Sequence, residues 1–157
     1  SSRFYYSWDE DNLYLAAYCH ESNIDSLKAV ETKHDGSISR EDCVGYFLQP
    51  DTGKKEVYQI YFSPLAVSFD QKLTANAGGY MIGDRKWNGE YEVKAQKGDA
   101  YWSIEARIPL AQFGVKAGTE EIWILNFRRK QFRLGESANW QVPLDYDPKT
   151  FGKMIMK

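Results

Sequence analysis

The sequence has no apolar run approaching the ~18 residues a helix needs to cross a bilayer, so membrane insertion is not expected. It has no surplus of positive charge either: 20 Lys+Arg stand against 22 Asp+Glu, for a net charge of −2 at pH 7. Without a basic block the chain is a poor match to a phosphate backbone, and nucleic acid is not an expected partner. Cysteine and histidine are scarce, at two residues each. Cys19 and Cys43 permit one disulfide and demand none; each lies in an apolar strand-like stretch, where a buried thiol is the plainer reading. His20 and His34 are not spaced like a zinc site with those cysteines. Common catalytic signatures are missing as well: there is no Gly-x-Ser-x-Gly, no phosphate loop and no His-Glu-x-x-His. His34, Asp35 and Ser37 are neighbours in sequence, but adjacency in a loop does not make a triad. The chain is read as non-catalytic, with no organic cofactor.

What the sequence has in quantity is aromatic rings. Five Trp, 11 Tyr and 8 Phe make up 15% of the chain. Flat rings pack well on pleated surfaces and also stack on flat ligands, so the excess points to β-structure and raises the question of a binding surface. A chain of 157 residues suits one domain, and 1–157 is read as such. Residues 1–6 lack both a basic start and an apolar h-region, and the chain opens inside a strand-like run. That is the pattern of a mature product or of a piece of a longer protein.

Periodicity is mostly two. Strands are expected over residues 3–8, 13–20, 42–49, 56–63, 67–70, 91–96, 100–108, 122–132 and 153–156. The polar turn at residues 9–12 makes the first two a hairpin, and the Lys97, Gly98, Asp99 turn makes a second. Both alternating sets of residues 13–20 are largely apolar, which predicts a central strand covered on both faces. Residues 75–89, with Gly78, Gly79, Gly83 and Gly89, read as loop. About nine strands, frequent turns and almost no helix predict an all-β, two-sheet antiparallel β-sandwich of jelly-roll-like form.

Five short motifs then occur in a recognisable order. They are Trp8, Asp9, Leu13 and Tyr14 in the first hairpin; Asp42, Val44 and Phe47; Glu105, Ile108 and Pro109; Asn126 and Arg129; and Trp140 followed by Asp147, Pro148, Phe151 and Gly152. Together they resemble the family 9 carbohydrate-binding modules and their wider superfamily over nearly the whole chain. The resemblance implies a secreted, periplasmic or cell-surface accessory domain, joined to other domains of a larger protein that is often a polysaccharide-degrading enzyme. It implies an oligo- or polysaccharide partner held between two Trp side chains, with structural calcium in nearby loops. A further N-terminal strand usual in the family is not matched. The first clamp Trp would fall near Ser39 or Arg40, a carboxylate on Gly45, an arginine on Tyr61, and the second clamp Trp near Asp145 or Tyr146. The clamp tryptophans are thus unmatched, and Gln59, Asn126 and Tyr146 are what remains of the expected kind.

The residues themselves offer a polar strand face. Gln59, Tyr61 and Ser63 alternate on one strand, Glu105 and Arg107 on another, Asn126 and Arg128 on a third. If these strands share a sheet, amides, guanidinium groups and a phenol converge, which is the mixture sugar hydroxyls and C–H faces require. The alternative is a solvated sheet face, or a Glu105–Arg128 pair that holds strands together. Trp87 and Tyr146 are loop rings that could stack on a sugar, while Trp8, Trp102, Trp123 and Trp140 read as packing. The ligand set is therefore Gln59, Tyr61, Trp87, Arg107, Asn126, Arg128 and Tyr146. Asp35, Asp42 and Asp70 are the candidate calcium carboxylates, since Ca²⁺ takes several oxygens from loops. Two rival readings stay open: a structural or protein-interaction sandwich that has lost sugar binding, and a non-catalytic part of a larger glycan-active enzyme.

Overall fold

A computed structural model describes residues 1–115, 121–142 and 146–156. Among them run eleven strands: β1 Ser2–Trp8, β2 Asn12–His20, β3 Cys43–Gln49, β4 Glu56–Phe62, β5 Ser68–Ala75, β6 Met81–Asp84, β7 Glu92–Lys97, β8 Tyr101–Pro109, β9 Glu121–Gln131, β10 Glu136–Asn139 and β11 Gly152–Met156. They form two antiparallel sheets packed as a sandwich. The four-stranded sheet has the order β1-β2-β8-β7. The larger one has the order β10-β9-β3-β4-β5-β6, with β11 also on β9. Strands β11 and β10 share one edge of β9, pairing with its first and second halves.

Two strands go beyond the nine expected: β6, inside the stretch 75–89 read as loop, and β10. The expected strand ends at Asp70, yet β5 continues through Gln71 and Lys72 to Ala75, with Asp70 buried and Lys72 paired with Glu56 on β4. β6 and β10 are four-residue strands of mostly exposed residues, defined by their ladder partners rather than by their own pattern.

Alternation decides the core. Leu13, Leu15, Ala17 and Cys19 of β2 meet Trp102, Ile104, Ala106 and Ile108 of β8 inside the sandwich, facing Val44, Tyr46, Leu48, Ile60, Phe62, Trp123 and Leu125 of the larger sheet. Strand β2 is not covered on both faces: Tyr18 and His20 are exposed and Tyr14 and Ala16 half-buried. A tyrosine there can keep its ring on the sheet and its hydroxyl in water. The strand buried on both faces is β3. Its outer side is closed by a second apolar cluster of Ile38, Cys43, Phe47, Val57, Tyr61, Phe69, Leu73 and Phe151. Cys19 and Cys43 are buried free thiols, and burial pushes them up to about 11 and about 12, so both stay protonated. Trp102 and Trp123 are fully buried. Trp140 is half exposed, with its ring 5.5 Å from that of Phe127 and lying over Gly152.

Candidate ligand-binding site

The outer face of the larger sheet is built in register. Arg128 of β9 lies beside Gly45 of β3, Gly45 beside Tyr61 of β4, and Tyr61 beside Phe69 of β5. The next row runs Asn126, Phe47, Gln59, Gln71. Because residue 45 has no side chain, the Tyr61 ring fills the space above it. A hollow of about 210 Å³ opens on this face. Cys43, Tyr61 and Phe69 contribute apolar surface, and the amides of Gln59 and Gln71 line it joined by a hydrogen bond. Arg85, Arg128, Lys130, Ser39 and Tyr146 complete the lining.

The polar groups are held in place. The Arg85 guanidinium lies 5.0 Å from the centre of the Phe69 ring. Arg128 donates from Nη2 to Ser137 Oγ at 3.0 Å, and Lys130 from Nζ to the Ser39 carbonyl at 2.7 Å. Burial raises Tyr61 to about 12, so its phenol remains a proton donor at neutral pH. Tyr146 has φ 65° and sets its ring 5.7 Å from Phe47.

The structure thus gathers Gln59, Tyr61, Arg128 and Tyr146 of the expected ligand set. The other three go elsewhere. Asn126 is fully buried and its amide is spent on the backbone: Nδ2 donates to the Gln141 carbonyl, and Oδ1 accepts from the N–H groups of Phe127 and Gln141. Arg107 is on the opposite sheet, because β8 pairs with β2 and β7, and there it forms an ion pair with Glu92. The same sheet separates Glu105 from Arg128, so the bracing pair does not form. Trp87 is half-buried, with its ring 4.8 Å from Tyr58 and packed against the sandwich core. Gln71, Arg85 and Lys130 were not among the expected residues. Lys130 continues the alternation of Asn126 and Arg128, which is a usable signal; Gln71 lies just past residue 70, where the strand pattern stops.

Beyond this hollow, Asp35 and Asp70 meet at a second place, with His34 as an added neighbour. One ligand atom from each lies within 4.8 Å of the others. Asp70 is fully buried; its Oδ2 accepts from the Tyr91 hydroxyl at 2.6 Å and from Gly89 N–H at 3.3 Å, while its Oδ1 has no partner. Asp35 accepts from the Asp70 N–H at 3.1 Å. His34 Nδ1 is 2.9 Å from Ser68 Oγ, and its Nε2 is 3.1 Å from Asn88 Oδ1 and 3.4 Å from Asp35 Oδ2. Burial pushes the Asp70 carboxyl above the usual carboxylate range, against the pull of the Tyr91 and Gly89 hydrogen bonds. Two carboxylates with amide and hydroxyl oxygens nearby fit a hard cation. Asp42 is not part of this group. It is buried elsewhere and anchors two loops, accepting from the N–H groups of Lys28 and Phe132.

No family model matches the chain, and no curated protein matches it. Solved structures do. A candidate carbohydrate-binding protein from Bacteroides uniformis ATCC 8492 superposes with a TM-score of 0.77 at 18% identity, over 99% of this chain and 78% of that one. A family 9 carbohydrate-binding module from Caldicellulosiruptor kristjanssonii, solved with cellotriose, gives a TM-score of 0.62 at 18% identity over 99% of this chain and 74% of the other. The same module solved with glucose gives a TM-score of 0.62 at 18% identity, over 99% of this chain and 76% of the other. This chain has the fold of the family 9 carbohydrate-binding modules. At this identity the likeness is one of fold, and any function has to rest on the site itself.

Proposed function

We propose that this chain is a non-catalytic carbohydrate-binding domain that holds a sugar in the hollow over Tyr61. The observation that carries the reading is the convergence of Gln59, Gln71, Arg128 and the phenols of Tyr61 and Tyr146 on one hollow. Amides and a guanidinium supply planar donors and acceptors for hydroxyls, and the rings supply a surface for sugar C–H groups. Solved structures of the same fold carry cellotriose and glucose, which supports a saccharide partner. A volume of about 210 Å³ is below the roughly 300–1,000 Å³ of drug-sized sites, so the hollow suits one sugar ring rather than a buried chain. Residues 1–157 act as one module beside other domains of a secreted, periplasmic or cell-surface protein, as an accessory to glycan chemistry carried out elsewhere in that protein. Calcium at Asp35 and Asp70 serves structure, tying the segment around residue 35 to β5 and, through Gly89 and Tyr91, to the chain before β7.

One observation favours a second reading, a structural or interaction sandwich that has given up sugar. Ser39 and Arg40 stand where a clamp Trp would be, and Asn126 is consumed internally. Calorimetric titration of the calcium-loaded protein with a panel of plant, algal and bacterial oligosaccharides separates the two. Saturable binding that is lost in Gln59→Ala supports the carbohydrate site. No binding to any member supports the second reading.

A further inference from the structure

The charges around the hollow are of one sign. Arg85, Arg128 and Lys130 line it, and no carboxylate does. Among the described residues, none of the three forms an ion pair; the pairs that exist involve Arg107, Arg129, Arg133, Lys54, Lys72 and His34. This cationic spot belongs to a chain whose net charge is −2, so it does not follow from composition. Arg128 is half-buried, with Nη2 donating to the neutral Ser137 hydroxyl, so its charge is not offset by a carboxylate. Uncompensated guanidinium groups recognise planar two-oxygen anions especially well, because their N–H groups form a fork that matches a carboxylate. The neutral groups beside them, Gln59, Gln71, Tyr61 and Tyr146, are suited to hydroxyls rather than to charge.

We infer that the sugar taken by this hollow is acidic: a uronic acid residue whose carboxylate faces Arg128, with Lys130 and Arg85 adding to the positive field. The inference rests on the carbohydrate reading above and narrows it to anionic glycans. Neutral glucans would leave three cations facing hydroxyls.

The test is calorimetry of the intact, calcium-loaded chain with four small probes at low ionic strength: methyl glucuronide, methyl galacturonide, and the neutral methyl glucoside and methyl galactoside. Inorganic sulfate is a fifth titrant. At least one uronide should bind about tenfold or more tighter than its neutral counterpart. Arg128→Gln should remove that preference and Lys130→Gln reduce it, with native unfolding curves for both variants. Binding should weaken as salt rises, since the screening length falls from about 10 Å at 0.1 M to about 3 Å at 1 M. Equal or tighter binding of a neutral glycoside overturns the inference and leaves the carbohydrate reading standing. Uronide binding that Arg128→Gln leaves unchanged overturns it as well. Sulfate binding as tight as the uronides would show an anion site that does not read sugar, and both readings would fall. Both also fall if no glycoside binds.

Discussion

Gly45 and Tyr61 are direct cross-strand partners, and the Tyr61 ring occupies the space that a side chain at position 45 would need. The family resemblance places a carboxylate at 45 and an arginine at 61. Here a glycine and a phenol stand in that relation, and the Tyr61 ring, lying over Gly45, lines the hollow. Tyr61 cannot swing aside freely, because its ring is held between those of Phe47 and Phe69, at 5.9 and 6.0 Å. Gly45→Ala is therefore expected to destabilise the fold by about 1–3 kcal/mol through overpacking. In a Tyr61→Ala background the same change should cost far less, since the obstruction is gone. Denaturant unfolding of the four proteins checks this, and additive effects would show that the two residues do not compete for space.

Glu21 anchors the segment after β9. Its buried carboxylate accepts from Arg133 at 2.8 Å and from Gln131, and lies 3.6 Å from Arg129, which is 4% exposed. Removing it takes away the ion-pair partner of a buried guanidinium. Glu21→Ala should cost about 3–5 kcal/mol, the range for breaking one side of a buried pair. A loss under about 1 kcal/mol in urea unfolding would contradict this placement.

Asp9 closes the first hairpin. The Tyr14 hydroxyl donates to it at 2.6 Å, and the Asp11 and Asn12 N–H groups add to that, lowering its carboxyl to about 2. A depressed folded-state value stabilises the fold above the ordinary carboxylate range, and that stability is lost as pH falls toward 2. Asp9→Asn should flatten the decline in stability between about pH 4 and pH 2. Thermal melts across that range, compared with the parent chain, are the check; identical slopes would rule the contribution out.

Calcium should act through Asp70. With calcium at about 100 times its dissociation constant, linkage adds about 2.7 kcal/mol, seen as a rise in Tm over the chelated protein. Asp70→Asn should melt at the same temperature with calcium and with chelator. A calcium shift that survives Asp70→Asn, or none in the parent chain, would remove calcium from this place.

Much of this was legible because alternation is a local signal. The strands that build the hollow, with Gln59 and Tyr61 on one and Arg128 on another, show their period in the sequence. What was not legible was partnership. Whether β8 joins β3 or β2 is set by long-range ladder pairing, and that choice alone carries Arg107 to the opposite sheet. Asn126 shows the same limit: its residue type suits a sugar site, but its use depends on the Gln141 backbone returning beside it. Trp87 has the sequence context of an exposed loop ring and instead packs on Tyr58, since burying an aromatic surface is favourable wherever the chain can reach one. Asp35 and Asp70 meet across an extended stretch of chain, and their link with His34 has no sequence spacing that could have announced it.

Where a sugar contacts the protein decides whether the hollow over Tyr61 is the binding site. Backbone amide shifts in a ¹⁵N-labelled sample, followed while the best-binding glycoside is added, test this in one titration. The largest changes should fall on Gly45, Gln59, Tyr61, Gln71, Arg128 and Tyr146. Changes confined to the opposite sheet, around Tyr14, Glu105 and Arg107, or no changes with any glycoside, would contradict it.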